Sequence, residues 1–207
     1  MITSTPEPGL KSLGADAKAP VTAVGSLVGV MWVSELVDTI VGHHLDRYGV
    51  RPRSLVGLRG IPLAPFLHVG WQHLIGNTVP FAILGVLIAL SGVVRFAKAN
   101  LIIGLCSGFG MWLFGATNSV HLGASGMVFG YLGYLLSRGF FDRRFGQIVL
   151  GAIVGLIYGG LLWGVLPTDS GVSWQGHLFG FLGGIGAAWI LRKPSKGSKV
   201  SSQLATR

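Results

Sequence analysis

Residues 176–184 read GHLFGFLGG, a run in which one histidine stands among glycine, leucine and phenylalanine. Gly176, Gly180 and Gly184 recur every four residues, so in a helix they lie on one face. Lipid gives no hydrophobic reward for bringing helices together, and small residues at this spacing let two backbones approach closely. The run therefore predicts a membrane helix packed tightly against a neighbouring helix.

The whole chain has the composition of a membrane protein. Of its 207 residues 50% are hydrophobic and only 11% are charged, with a mean hydropathy of +0.63; a soluble domain has roughly 25% charged residues. The 34 glycines follow no three-residue repeat. These values exclude a soluble globular enzyme and a collagen-like protein, and they indicate an all-α polytopic membrane protein.

Six stretches have about the length and apolarity that a bilayer crossing needs. They are approximately 21–42, 72–91, 97–117, 125–140, 146–166 and 175–191. We expect a disordered cytoplasmic leader over 1–20, a six-helix membrane domain over 21–192 and a basic cytoplasmic tail over 193–207. Because Gly126 and Gly130 form a second small-residue row, the fourth and sixth spans are expected to touch.

The charges predict an orientation. The net charge of +9 comes from 16 Lys and Arg against 7 Asp and Glu. Basic residues follow the second, fourth and sixth spans, so both termini are expected to be cytoplasmic in a multi-pass cell-membrane protein. This explains the charge without nucleic acid as a partner; the lipid bilayer is the expected one. The exception is the connection over 43–71, whose arginines we expect at the lipid headgroups, with Glu35 and Asp38 tying the connection down through them.

Four polar side chains interrupt the apolar spans at one expected depth near the outer face. They are His73, Asn77, Ser125 and His177, each at the start of a predicted span. Such residues are costly in a membrane and point to function. A serine becomes a nucleophile when an imidazole accepts its proton, so Ser125 and His177 form a candidate dyad. The Ser125 N–H, His73 and Asn77 are candidate donors to an oxyanion.

These residues resemble the rhomboid intramembrane serine proteases. The resemblance rests on GASG at 123–126, on His73 and Asn77 preceded by His68, and on the run at 176–184. It implies a rhomboid-like six-helix bundle with Ser125 as nucleophile, His177 as base, and His73, Asn77 and the Ser125 amide as the oxyanion hole. Phe129 matches a position where the family often has a tyrosine stacked on the base. The family's Trp-Arg pair has only Leu58-Arg59 as its nearest counterpart. His68 is interpreted as a residue that packs the loop or holds a water molecule.

The predicted function is therefore cleavage of peptide bonds in or near transmembrane segments of membrane-protein substrates, at a site that opens to the outer face. A helix hides its carbonyls, so substrates with helix-breaking residues near the cut are favoured. No metal or organic cofactor is implied, since the sequence has no metal or phosphate-binding motif. Two alternatives remain: a catalytically silent rhomboid-like protein that binds transmembrane helices, and a small transporter, which would need polar residues deeper in the spans.

Overall fold

The structure, a computed structural model, describes residues 10–167 and 173–192. Residues 1–9 of the expected leader and the expected basic tail over 193–207 lie outside these ranges. Within them the chain is all-helical, and its extended pairing is limited to one bridge between Val50 and His121. The all-α prediction is confirmed for this part of the chain.

Seven α-helices carry the described fold. They are α1 (Leu10–Ile40), α2 (Gly60–Leu63), α3 (Trp71–Ala89), α4 (Val93–Phe114), α5 (Ser125–Asp142), α6 (Phe145–Tyr158) and α7 (Trp174–Ile190). Helix α1 begins at Leu10, inside the segment expected to be a disordered leader. Helix α6 continues as a 3₁₀ helix over Gly159–Val165. Further 3₁₀ turns over Asp46–Tyr48, Val56–Arg59 and Ala64–Phe66 give the connection after α1 its structure.

In the part of the chain that the structure describes, four helical segments are long and apolar enough to cross a membrane. They are Ala17–Ile40, Trp71–Ala89, Val93–Phe114 and Phe145–Val165. Helices α5 and α7 differ from these four for physical reasons. Helix α5 carries Arg138 and Asp142, and α7 has only 17 residues, against about 20 for a full crossing. Most residues of α5 are buried among other helices, so its surface needs less apolar area than a lipid-facing span.

Helix α5 is the centre of the bundle. It packs on α7, α6 and α3, and α7 also packs on α4. Tyr131, Leu132 and Tyr134 of α5 are fully buried. The Tyr131 hydroxyl donates a hydrogen bond of 2.6 Å to Oδ1 of Asn100 in α4. Because α3, α4, α6 and α7 all contact α5, the position of Ser125 at its first residue is fixed by the core.

The contact between α5 and α7 is made of glycine against backbone, as the two glycine rows predict. A Cβ added at Gly180 would overlap the carbonyl oxygen of Gly126, and one at Gly184 would overlap that of Gly130. In the other direction, a Cβ at Gly130 would lie 3.0 Å from the Gly180 oxygen. Any larger side chain would push the helices apart. The small-residue rows therefore set the distance between the helices that carry Ser125 and His177.

The connection between α1 and α3 is tied to the end of α4, and two of its arginines contact protein groups. The guanidinium of Arg53 donates hydrogen bonds to the carbonyls of Leu113 and Gly115 at 3.0 Å each and to Thr117 Oγ1 at 2.8 Å. Arg59 lies over the ring of Tyr48, 4.7 Å from its centroid. Both arginines are exposed, so their expected place at the lipid headgroups stays a prediction.

The prediction that Glu35 and Asp38 bind the arginines of this connection is wrong for the described residues. Asp38 accepts hydrogen bonds from the Leu45 N–H at 2.6 Å and from His43 Nδ1 at 3.2 Å. Within the described ranges, neither Glu35 nor Asp38 pairs with an arginine or lysine. The short turn after α1 places the Leu45 N–H and the His43 ring at Asp38, where they occupy its carboxylate oxygens in place of an arginine.

Candidate active site

Ser125 and His177 meet at one end of the α5–α7 contact. Ser125 is the first residue of α5, and His177 lies in the first turn of α7. His177 Nε2 and Ser125 Oγ are 2.8 Å apart, which is hydrogen-bond distance. They are joined although 52 positions separate them in the sequence. The geometry is that of a serine whose proton can pass to an imidazole.

The second ring nitrogen of His177 is held by a backbone carbonyl. His177 Nδ1 lies 2.9 Å from the carbonyl oxygen of Gly164, in the 3₁₀ segment that follows α6. A carbonyl only accepts, so the Nδ1 proton donates to it and Nε2 is left as the acceptor for the serine proton. Among the described residues, this carbonyl and not a carboxylate contacts Nδ1 of His177. Sequence reasoning required an orienting group other than Asp, but a carbonyl has no signature in a sequence.

Phe129 covers the imidazole at the position predicted for it. Its ring lies 4.0 Å from the His177 ring, centroid to centroid, with 7° between the planes. Phe129 stands one turn after Ser125, so the same helix supplies the serine and the ring that stacks on its partner. Stacking restricts rotation of the imidazole about its side-chain bonds while leaving both nitrogens free for hydrogen bonds.

His73 and Asn77 line the same cavity as the dyad. The cavity has a volume of about 790 Å³ and also includes Ser125, Phe129 and His177 in its wall. Asn77 Nδ2 donates a hydrogen bond of 3.1 Å to the His73 carbonyl, which uses one of its two amide hydrogens. Among the described contacts, neither residue hydrogen-bonds to the serine or the histidine of the dyad. The structure therefore brings all the predicted residues to one cavity, and a direct bond joins only two of them.

The loop before Ser125 packs directly on His73. Gly123 has a φ of +116°, a conformation open to glycine and strained for other residues. A Cβ at Gly123 would lie 2.6 Å from Cε1 of the His73 ring. The Gly123 N–H also donates to the Ala64 carbonyl at 2.8 Å. Glycine at this position lets the chain enter α5 beside the imidazole of His73.

His68 has a larger part in the site than its predicted role of loop packing. It is 1% exposed, and its Nε2 accepts a hydrogen bond of 3.2 Å from the N–H of Ala124, the residue before the serine. Its ring also contacts His73 edge to face, with 5.2 Å between centroids. His68 is thus a positioning residue for the turn that presents Ser125. In the sequence, the only indication of this role is that His68 lies five residues before His73.

Comparison with known proteins identifies the family of the chain. A family model described as the Rhomboid domain matches residues 58–194. The chain therefore belongs to the rhomboid family, whose members are generally intramembrane serine proteases.

Relatives from several organisms are similar over most of their length. An uncharacterized protein of Mycobacterium tuberculosis is 40% identical over 194 residues, covering 90% of this chain and 81% of the relative. An uncharacterized protein of Mycobacterium leprae is 39% identical over 189 residues, covering 87% of this chain and 75% of the relative. A Bacillus subtilis protein provisionally named a rhomboid protease is 31% identical over 120 residues, covering 57% of this chain and 59% of that relative.

The burial of His68 predicts a pH dependence of folding stability. Burial, and after it the nearby His73, lowers the pKa of His68 from 6.5 to about 4. The unfolded chain therefore takes up this proton as the pH falls below 6.5, whereas the folded protein takes it up only near 4. Stability is unaffected above pH 6.5 and falls toward pH 4, by up to about 3 kcal/mol for a shift of this size.

This is measured by unfolding the wild type and His68→Gln in detergent micelles across pH 4 to 7. Glutamine keeps a side-chain acceptor but does not titrate, so its stability should fall less over this range. The exposed histidine variant His44→Gln is the matched control and should follow the wild type. Equal pH dependence in wild type and His68→Gln would show that His68 is not the titrating group.

Proposed function

We propose that this chain is an intramembrane serine endopeptidase that uses Ser125 and His177 as a catalytic dyad. The observation that carries the proposal is the 2.8 Å contact between Ser125 Oγ and His177 Nε2 within a cavity large enough for a short extended peptide. Family membership supports the same reaction class. The substrates proposed are membrane proteins with a locally unwound stretch near the cut, since an intact helix hides its carbonyl groups.

The reaction follows from the positions of the side chains. His177 Nε2 accepts the proton of Ser125 as its Oγ attacks the substrate carbonyl carbon, and a tetrahedral intermediate forms. The imidazolium keeps its Nδ1 proton on the Gly164 carbonyl and gives the other proton to the leaving amine. An acyl-enzyme remains on Ser125. Water, activated by the neutral His177, then releases the acyl group and restores the serine.

Donors for the oxyanion are available on one side of the serine. The N–H of Ser125 stands at the start of α5, where a helix leaves its first N–H groups without intrahelical acceptors. Asn77 keeps one amide hydrogen after bonding the His73 carbonyl, and the His73 ring lies in the same cavity wall. We propose these three groups as the oxyanion hole, which lowers the energy of the intermediate by hydrogen bonding to its negative oxygen.

The proposal includes six membrane crossings with both termini in the cytoplasm and the site open to the outer face. Its support is the separation of polar groups along α5. Ser125 stands at the start of the helix, whereas Asp142 at its end binds Arg95 and Arg138, at 3.7 Å and 3.1 Å. Arg143 and Arg144 follow directly. Basic residues at this end outnumber the four arginines of the connection over 43–71 on the serine side, so the positive-inside rule favours it as the cytoplasmic end.

A fluorophosphonate probe tests the dyad directly, because it bonds covalently to an activated serine. We expect the purified protein in liposomes to be labelled on Ser125, as read by mass spectrometry of its peptides. Ser125→Ala removes the nucleophile and His177→Ala removes the base, so both should abolish labelling. Ser119→Ala, which changes another cavity serine, should still be labelled.

The folded state of each variant is checked by its thermal unfolding in micelles. Folded wild-type protein that stays unlabelled in several lipid compositions would contradict the proposal and favour the catalytically silent, helix-binding alternative.

The role of the Gly164 carbonyl in orienting His177 can be tested by adding a methyl group at Gly164. A Cβ at Gly164 would lie 2.8 Å from the Phe129 ring and 3.3 Å from His177 Nδ1. Gly164→Ala should therefore displace the stacked pair and slow probe labelling of Ser125 by at least about tenfold, equivalent to roughly 1.4 kcal/mol. Gly160→Ala is the matched control, since it lies in the same 3₁₀ segment with nothing within 4 Å. Equal labelling rates in the two variants would remove Gly164 from the account of how the base is oriented.

A further inference from the structure

A second group of chemically active side chains lies where α1 ends, apart from the dyad. Asp38, His43 and Asp46 each direct one potential ligand atom, a carboxylate oxygen or an imidazole nitrogen, into a space where these atoms lie within 4.8 Å of one another. Asp38 is 2% exposed, whereas the His43 side chain is 53% exposed. The group is thus anchored on the protein side and open on the other.

Glu35 provides an independent observation at this place. It is 1% exposed, and both of its carboxylate oxygens are buried without a hydrogen-bond partner among the described residues. Glu35 precedes Asp38 by three residues in α1, so the two side chains share a helix face. Its carboxylate is within electrostatic range of Asp38, His43 and Asp46, and it faces the Gly70 N–H without meeting hydrogen-bond geometry. Burial of a carboxylate without a partner is costly unless a proton or a nearby cation neutralises its charge.

The described part of the chain does not supply that cation. Arg53 binds the end of α4, and Arg47 and Arg59 lie over the Tyr48 ring. The ion pairs of the described residues include no lysine or arginine on Glu35, Asp38 or Asp46. Three carboxyl groups are therefore gathered around a histidine with no basic side chain in contact. One oxygen of Asp46, Oδ1, is also buried without a partner.

We propose that the end of α1 binds one divalent transition-metal ion of the Zn²⁺ type, with Asp38, His43 and Asp46 as ligands and Glu35 as the adjoining carboxylate. An imidazole with carboxylate oxygens suits Zn²⁺ better than Mg²⁺ or Ca²⁺, which prefer ligand sets made of oxygen alone. The ion takes the place of the hydrogen between His43 Nδ1 and Asp38, and neutral His43 keeps its proton on Nε2. The remaining positions of the metal face solvent.

Such an ion would connect α1 to the start of the connection that covers the bundle. Asp38 belongs to α1, whereas His43 and Asp46 belong to the turn that follows it. The spacing of these three residues follows no metal-binding sequence motif, because an irregular turn brings them together. Binding stabilises the folded protein according to mass action, which gives a readout that needs no peptidase activity.

Zinc titration of the full chain tests the site. The protein, purified in detergent micelles with its affinity tag removed, is dialysed free of metal and titrated with ZnCl₂ by calorimetry. We expect one Zn²⁺ per chain and a rise in melting temperature that saturates at the same stoichiometry. His43→Ala and Asp46→Asn should each weaken binding at least tenfold. Glu35→Gln should weaken it too, since it removes the adjoining negative charge.

His44→Ala is the matched control, because it removes the neighbouring exposed histidine and leaves the proposed ligands in place. It should bind like the wild type. Thermal unfolding without metal identifies any variant that has lost its fold. His43→Ala should retain its fold best, because the His43 side chain is exposed. The proposal is overturned by folded wild type that takes up no Zn²⁺, by binding that survives His43→Ala, or by binding that depends equally on His44.

Discussion

The close contact of α5 with α7 is the constraint on which the site depends. Gly126 and Gly130 on one helix meet Gly180 and Gly184 on the other with no side chain between the backbones. At the same end of this contact Ser125 and His177 reach each other at 2.8 Å. In a bilayer, helices gain little by burying apolar surface against one another, so backbone approach through small residues is the main source of their association. The packing that holds the bundle together is also the packing that forms the dyad.

Irregular segments supply further hydrogen-bonding groups to the site between α5 and α7. The 3₁₀ segment after α6 supplies the Gly164 carbonyl to His177, and the loop before α3 supplies His68 to the Ala124 N–H. The connection after α1 is held against the end of α4 by Arg53 and pairs with the loop at His121. Each segment satisfies buried polar groups of another, which is what irregular backbone requires at membrane depth. Among the described residues, His177, the proposed base, is therefore oriented by backbone, where soluble serine hydrolases often use a carboxylate.

Much of this arrangement could be predicted from the sequence. Apolar runs placed α3, α4, α5 and α7 within a few residues of their observed bounds. The expected common depth of the polar residues placed Ser125 and His177 together, and the glycine rows identified the helix contact. The number of membrane crossings stays a prediction, because α5 and α7 differ in length or polarity from a typical span.

What could not be predicted depends on partners distant in the chain. A carbonyl such as that of Gly164 has no side chain to mark it, and Arg53 resembles the other arginines of its connection until the fold brings α4 beside it. Asp38 was expected to bind an arginine, but the turn after α1 places His43 and the Leu45 N–H nearer. Patterns of apolarity determine which faces are buried, whereas individual hydrogen bonds depend on where loops meet.

The most direct test of the account compares Gly180→Ala with Gly186→Ala in the rate at which a fluorophosphonate labels Ser125. A methyl at Gly180 overlaps the carbonyl of Gly126, next to the serine, whereas one at Gly186 meets nothing within 4 Å. With both variants confirmed as folded, the account predicts at least about a tenfold slower rate for Gly180→Ala, or roughly 1.4 kcal/mol, and an unchanged rate for Gly186→Ala. Wild-type rates in both variants would contradict the claim that glycine packing of α5 on α7 makes the serine reactive.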